Sequence, residues 1–558
     1  ESSTQNPNTG PRPLSPVPRQ AAVFAVCGLV ALGVSAIQLI PSFELSQLSV
    51  RAEINYATSV QYSLSPAQLV SLFVPGFFGR GPLDYWGPWV RTEMGYAGVL
   101  TLVAGLVAIV LRRQRETLFF LLLAIVSLSL SLGGHSLTQG WLYSVGAGFD
   151  KLRAPARFLF LFDFALAALA GLGIDQMLRP LTHGEKMSLR GIARYVTFFA
   201  VVVAAGALPP FLYFLFDTIG AGGGPTVARL TGIVEGIALF LLLLAGCVAL
   251  LWARVKDWIG PAVLGGLAVA WMGFDLMTTG FNVEVGTKDP TGNFQHPGVI
   301  NFLKQDKSLY RVDSVTDVWD VWQPDTTLLN GIPDIWGVYN PMISADLDNY
   351  WAKLGSRSSP LYDLMNAKYL IGHKGVPLAK KFELVYDDDP QVSVFRNSKA
   401  LPRAFVVYSA DVISDKDQAF EAIHDKTFDP TQKVIVEGGQ PITSTILNSS
   451  VVFTAYSANE MVIKASAAAP AYLVLSEVYN DGWKAIVDGQ PQKILRADYL
   501  FRAIPLPAGD HEVRLVFDPT SFRQGATLTG LTWAVLAGAT GIGLLRRRQR
   551  PKSRQNLP

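Results

Sequence analysis

"GIVEGIALFLLLLAGCVALLW", residues 232–252, decides the fold class of this chain. Its 21 positions hold one charged residue, Glu235. At about 1.5 Å of rise per residue, a helix of that length covers about 30 Å, the hydrocarbon thickness of a bilayer. A helix that is apolar all round has no face to offer water, so it belongs in lipid or among other helices there.

Seven further runs share this character: Ala21–Ile40, Gly95–Leu111, Leu118–Leu132, Phe158–Ile174, Tyr195–Phe216, Trp258–Met277 and Ala526–Leu545. The run from Leu118 is short and spans only if extended or tilted. Composition agrees. Half of the 558 residues are hydrophobic and 16% are charged, against about 25% in an ordinary soluble domain; mean hydropathy is +0.28. The fold class is a polytopic α-helical membrane bundle of about eight helices. A net charge of +3 is too small to imply a nucleic-acid partner; the bilayer is the partner implied.

Basic residues orient the bundle, because Lys and Arg concentrate in cytoplasmic loops. They cluster at Arg112, Arg113 and Arg115; at Arg179, Lys186, Arg190 and Arg194; at Arg254 and Lys256; and in "RRRQRPKSR" (546–554). Eight alternating crossings put all four clusters on one side with the N-terminal tail. The opposite, extracytoplasmic side then receives 41–94, 133–157, 217–231 and the long stretch 278–523. The chain opens on Glu1 with a polar, Pro-rich segment and no leader pattern, so it is expected to start inside a longer protein.

The long outer stretch changes period. "HPGVINFLKQD" (296–306) has helical spacing. "YRVDSV" (310–315), "FELVYDDDPQVSVFRN" (382–397) and "RAFVVYSADVI" (403–413) read as strands, and "DKDQAFEAIHD" (415–425) as a helix. From Val434 the pattern is all β. In "YNDGWKAIVDGQ" (479–490), Asp488-Gly489 signals a hairpin, and Trp483 reads as a core anchor. The organisation expected is a tail at 1–20, a bundle at 21–277, an α+β region at 278–433, a β-sandwich at 434–523, a last helix at 524–545 and a basic tail at 546–558.

Several chemistries fall away. Cys27 and Cys247 lie in apolar runs and build neither a disulfide framework nor a metal site. The six histidines lack the spacing of HExxH, and no metal or cofactor is expected. "GAGGGPT" (220–226) lacks the Lys-Ser/Thr of a phosphate loop and reads as a connector. No GxSxG elbow occurs.

The segment "LVLSEVYNDGWKAIVDGQPQKILRADYLFRAIPLPAGDHEVRLVFDPTSFRQG", with "KLRAPARFLFLFDFALAALAGLGID" (151–175), "SLSPAQLVSLFVPGFFG" (63–79) and "ALPRAFVV" (400–407), resembles the bacterial YfhO family of membrane proteins. The resemblance implies a GT-C-like fold and transfer of sugars from polyprenyl-phosphate donors to cell-envelope polymers. In GT-C enzymes the catalytic carboxylate sits in the first outer loop. Here that loop is similar to a later loop of the family, so the catalytic residue is expected before Glu1 and none is assigned.

Three features carry candidate chemistry. Lys151, Arg153 and Arg157 stand at a membrane boundary on the outer side. They either snorkel or anchor a lipid-linked phosphate, for which Arg offers a planar fork. Asp163, and likewise Glu235 and Asp275, lie within apolar runs. A carboxylate at that depth costs roughly 2.5–3.5 kcal/mol on insertion scales and must face protein or a water-filled cavity. Arg157 is the simplest partner for Asp163, and a structural contact competes with a catalytic role. Loop 41–94 holds Glu44, Glu53, Asp84, Tyr85, Trp86, Trp89, Arg91 and Glu93. Carboxylates beside aromatics suit sugar contact, with Glu44, Glu53, Asp84, Trp86 and Trp89 as candidates, or form an interfacial belt. The leading expectation is a polyprenyl-phosphate-sugar-dependent glycosyltransferase, incomplete in this fragment. The alternative is a non-enzymatic envelope protein whose outer domain binds a polymer or a partner protein.

Overall fold

The computed structural model describes residues 16–52, 54–79, 85–89, 95–146, 148–221, 225–281, 289, 291–317, 320–335, 342–445 and 448–548. It divides into two compact units, Glu53–Lys288 and Glu1–Ala52 with Asp289–Pro558. Helices α1 (Pro16–Gln47), α2 (Val99–Leu111), α3 (Arg115–Ser131), α4 (Leu159–Leu178), α5 (His183–Ala221), α6 (Pro225–Val255) and α7 (Pro261–Gly280) fall where the first seven apolar runs lie. Helix α11 (Thr520–Arg548) covers the eighth. Among the described residues six of them, α1, α4, α5, α6, α7 and α11, are long and apolar enough to cross a membrane. Helices α2 and α3 have 13 and 17 residues. The molecule is a helical membrane protein with a β-rich domain.

In the first unit small residues bring helices to backbone contact, the usual way to pack helices where apolar side chains gain nothing by leaving lipid. A Cβ on Gly173 of α4 would overlap the Ala104 carbonyl of α2, and one on Gly246 of α6 would overlap the Trp271 ring of α7. Val103, Val107, Leu189, Leu243, Cys247 and Leu264 are part of the buried core. Asp275 of α7 is fully buried and accepts from the Tyr96 hydroxyl (2.5 Å) and the Val99 amide (2.7 Å). Val99 opens α2, so this carboxylate caps a helix start, where free N–H groups favour an anion.

The second unit joins both ends of the chain. Helix α1 continues through Pro41 to Gln47, beyond its apolar run. It packs along α11: a Cβ on Gly525 would stand 2.6 Å from the Ala36 carbonyl oxygen. The Thr529 hydroxyl accepts from the Ile37 amide (3.0 Å) and donates to the Gly33 carbonyl (3.1 Å). Past α1, the Val50 amide donates to the Ile343 carbonyl and the Ala345 amide to the Leu48 carbonyl.

Three sheets make up the rest. The first, in order β1-β2-β4-β3, comprises β1 (Arg311–Ser314), β2 (Ala367–His373), β3 (Phe382–Tyr386) and β4 (Val392–Asn397). Helix α8 (Pro297–Gln305) packs on it through Val299, Ile300 and Leu303. The seven-stranded sheet, β5-β11-β15-β14-β7-β6-β8, uses β5 (Ala404–Val407), β6 (Ser409–Val412), β7 (Val434–Val436), β8 (Ile442–Thr443), β11 (Ala471–Leu475), β14 (Leu495–Ala497) and β15 (Phe501–Leu506). The five-stranded sheet, β13-β12-β16-β10-β9, uses β9 (Ser449–Tyr456), β10 (Glu460–Ala467), β12 (Trp483–Val487), β13 (Gln490–Gln492) and β16 (Gly509–Phe517). These last two share one core, in which Leu473, Leu475 and Ile504 meet Ile463, Val513 and Leu515. Helices α9 (Ala345–Lys353) and α10 (Lys416–Ile423) complete the unit.

The Asp-Gly turn joins β12 to β13 with φ of 51° at Asp488 and 82° at Gly489, the positive pair that a two-residue hairpin requires. Asp488 also accepts from the Glu512 amide (2.9 Å) and faces His511 Nδ1 (2.6 Å), tying the turn to β16. A Cβ at Gly489 meets nothing within 4 Å, so substitution there probes backbone conformation alone. Gly489→Val should cost about 1–2 kcal/mol, the left-handed penalty of an L-residue, and Gly489→Asn clearly less. Thermal melts of the two purified variants check the order; equal melting temperatures would contradict it.

Asp498, with φ of 44° and 1% exposed, accepts from the Ile435 amide at 2.8 Å. Burial pushes its carboxyl up to about 7 against the pull of that amide. The folded state therefore holds the proton more tightly than the unfolded chain. Stability is favoured below the ordinary carboxylate range and falls as pH rises to about 7. Asp498→Asn keeps an acceptor and suits the positive φ. Its melting temperature relative to wild type should rise between about pH 5 and about pH 8, and a flat difference would contradict the assignment.

Candidate functional site

The basic loop ahead of α4 is set by backbone geometry. Ala154 has φ of 63°, and Pro155 opens a short turn, Pro155–Phe158, that leads into the helix. Pro155 and Ala156 are buried, and the Ala156 amide donates to the Tyr62 carbonyl (3.3 Å). Anchored this way, the loop presents Lys151, Arg153 and Arg157, all exposed. The Arg153 guanidinium lies 5.2 Å from the centre of the Tyr62 ring. Lys151 faces Asp150 at 3.9 Å. The Arg157 amide donates to the Ala154 carbonyl (3.1 Å), and its guanidinium forms no hydrogen bond or ion pair among the described residues.

Six residues beyond Arg157, in the second turn of α4, stands Asp163, about 9 Å further along at helical rise. Its Oδ1 is buried without a hydrogen-bond partner among the described residues. Asp163 lines a groove of about 620 Å³ between α2, α4 and α7 that continues past Ala167, Ala170 and Gly171 to Asp175. Tyr96, Thr101 and Leu276 contribute to its other walls. Apart from these few polar groups the lining is apolar.

The far end of the groove is a closed ionic cluster. Asp175 binds Arg112 and Arg179, each at 2.6 Å. Arg254 donates to the carbonyls of Met177 and Arg179, both at 2.7 Å, and Lys186 pairs with Asp257. Three basic clusters that are far apart in sequence thus gather at one end of this unit, while Arg153 and Arg157 lie at the other end of α4.

The remaining acids differ. Asp275 is spent as the cap of α2. Glu235 is exposed on α6. Trp86 and Trp89 pack on Phe78, each with ring centres 5.1 Å apart, and the Arg229 guanidinium lies 5.8 Å from the Trp86 ring. Glu53 and Asp84, with Arg91 and Glu93, lie outside the described residues.

Glu44 sits in the other unit, on the last turns of α1. It lines a pocket of about 430 Å³ with Asn459, Asn480, Phe517, Ser521 and Phe522. The Ser521 hydroxyl is buried and unpartnered among the described residues. Sequence reasoning passed over Ser521 and Asn459 because nothing local distinguishes them; only the pairing of α1 with α11 brings them to Glu44. Trp483 is half-buried, and the Arg502 guanidinium lies 4.5 Å from its ring centre.

No curated protein and no solved structure matches the chain. The model of one family does, over residues 440–529, from β8 into the first turns of α11. That stretch contains the whole of the segment 473–525 on which the resemblance chiefly rests, and over it the chain is similar to the family described as bacterial membrane protein YfhO.

Proposed function

We propose that the protein binds a polyprenyl-phosphate-linked sugar at the outer face of the cell membrane and serves its transfer to a cell-envelope polymer. One observation carries this reading: Asp163, whose buried Oδ1 has no hydrogen-bond partner among the described residues, in a mostly apolar groove, six residues from the Arg157 guanidinium, itself unpaired among those residues. An isoprenoid chain suits the apolar walls. Its phosphate falls to Arg157 and Arg153, which offer two donors in one plane to two oxygens. A sugar hydroxyl donating to Asp163 would supply the bond that the carboxylate lacks. When the acceptor hydroxyl attacks the anomeric carbon, the bond to phosphate breaks, polyprenyl phosphate leaves, and the hydroxyl's proton passes to the departing phosphate or to water. A guanidinium at that phosphate stabilises the charge as it develops. The gathering of Arg112, Arg179, Lys186 and Arg254 at one end supports an orientation with that end in the cytoplasm and Arg157 outside.

Polyprenyl-phosphate affinity of the purified full-length protein in nanodiscs tests the anchor. A charge-assisted hydrogen bond contributes on the order of 1.5–3 kcal/mol, or about 10- to 150-fold in binding. Arg157→Lys keeps the charge and loses the fork, so its affinity should fall by a factor in that range, and Arg157→Ala by at least as much. If Arg157→Lys binds as tightly as wild type, Arg157 only snorkels.

A further inference from the structure

The outer domain contains a second cleft, of about 440 Å³, where strand β9, the entry to β5 and the start of β2 meet. Val452, Phe453 and Leu401 give it an apolar side; Lys368, Asn366 and Arg403 give it a polar one. Two of these polar residues are unsatisfied. Arg403 and Asn366 are each 3% exposed. The Arg403 Nε–H and the Asn366 Oδ1 are buried with no hydrogen-bond partner among the described residues. The first is a donor on a cation and the second is an acceptor.

The charge around Arg403 is unbalanced. Arg311 donates to Glu477 Oε2 (3.2 Å) and Arg403 to Glu477 Oε1 (3.3 Å), so one carboxylate serves two guanidinium groups. Arg502, 4% exposed, spends its Nε and Nη2 on the Val478 carbonyl, and its Nη1 has no partner among the described residues. Burial pushes Arg311 and Arg502 down to about 10, with Glu477 the acid that pulls each back. Among the described residues, two buried cations, Arg403 and Arg502, and the partly exposed Arg311 face the single carboxylate of Glu477, an excess of two positive charges. The aromatic faces of Trp483 and Tyr456, 4.5 and 5.8 Å from Arg502 and Arg403, offset part of that. Lys368 is already paired with Asp306 at 2.5 Å and adds no net charge. A buried charge without a partner is costly enough that such clusters ordinarily hold a counter-ion.

We propose that this cleft binds a phosphate monoester that carries a neighbouring hydroxyl. Such a monoester bears about −1.5 to −2 charge near neutral pH, which suits a cleft whose lining Arg403 belongs to an excess-positive cluster with Arg311 and Arg502 better than the single charge of a carboxylate does. Its oxygens accept from Arg403, and its hydroxyl donates to Asn366 Oδ1. The apolar side admits the carbon skeleton. Nothing in this assignment depends on the lipid-phosphate reading at Arg157.

The test is calorimetric titration of the full-length protein in nanodiscs with sn-glycerol 3-phosphate, with glycerol and acetate as comparison probes. Wild type should bind the phosphate ester saturably, with a dissociation constant of about 1 mM or tighter, and acetate at least tenfold more weakly. Arg403→Lys should weaken binding tenfold or more, as expected for loss of one charge-assisted bond. Because Arg403 also holds the Tyr310 carbonyl (3.2 Å), Val452→Glu provides a variant that leaves the core intact. Val452 is 58% exposed on the edge strand, and a carboxylate there should weaken binding at least tenfold with an unchanged melting temperature. Arg157→Ala should bind like wild type. Absence of saturable binding by wild type, equal affinity for acetate, or wild-type affinity in Val452→Glu would overturn the proposal. So would loss of binding in Arg157→Ala, since the ester would then be read at the membrane loop.

Discussion

The second unit is tied together where α1 and α11 cross, and a hydroxyl of one helix reaches the backbone of the other. Thr529 of α11 accepts from the Ile37 amide and donates to the Gly33 carbonyl, groups that stand at i+4 and i of α1. Helix α1 runs unbroken from Pro16 to Gln47 through this contact. Hydrogen bonds across helices in a membrane are worth about 0.6–2 kcal/mol, and close approach of the backbones is what makes this one possible. The small residues Gly33 and Gly525 let the backbones approach closely enough for the bridge. This crossing joins parts of the chain almost five hundred residues apart, and the five-stranded sheet hangs directly from α11 through β16.

What could be read from the sequence follows from the range of the interactions. Apolar runs and period-2 strands report a local choice between lipid, water and core, and they placed the helices and the β-rich region. Asp488-Gly489 reports a local backbone need, and the turn is there. What the sequence concealed are the long-range pairings. Asp275 reads as an acid stranded in an apolar run, yet its carboxylate caps α2 about 180 positions away. Pro41 reads as a helix end, yet α1 passes through it. The Arg311–Arg403–Glu477–Arg502 cluster draws on four separate stretches of chain and has no sequence signature. The candidate site was legible in half: Arg153, Arg157 and Asp163 could be named, but not the groove that gives Asp163 something to face.

The acids of the apolar helices show why burial alone does not mark a functional group. Asp275 is fully buried and fully satisfied, and its role ends with the helix it caps. Asp175 is balanced by two arginines at the bundle end. Glu235 is exposed on its helix. Of these four acids, Asp163, half-buried, is the one whose buried oxygen has no hydrogen-bond partner among the described residues. A structural carboxylate is held in place by its partners. One without partners persists when something else, a proton or a ligand, occupies the place of the missing bond.

The same criterion applied to the β-rich domain gives a stricter result, because the two charge types have different ways out. A lone carboxylate in a dry site can take up a proton and become a neutral acid that donates as well as accepts. A guanidinium has no such option, since it stays protonated across the accessible pH range. The Arg403 cluster therefore cannot relieve its excess charge by titration. It can distribute the charge over aromatic faces and carbonyls, as Arg502 does with Trp483 and Val478, or it can recruit an anion. Carbonyl groups satisfy N–H geometry without cancelling a full charge, and quadrupoles cancel a fraction of one. With Glu477 already shared between Arg311 and Arg403, the remaining compensation has to come from outside the described chain. The cleft beside Arg403 is the opening through which it can arrive.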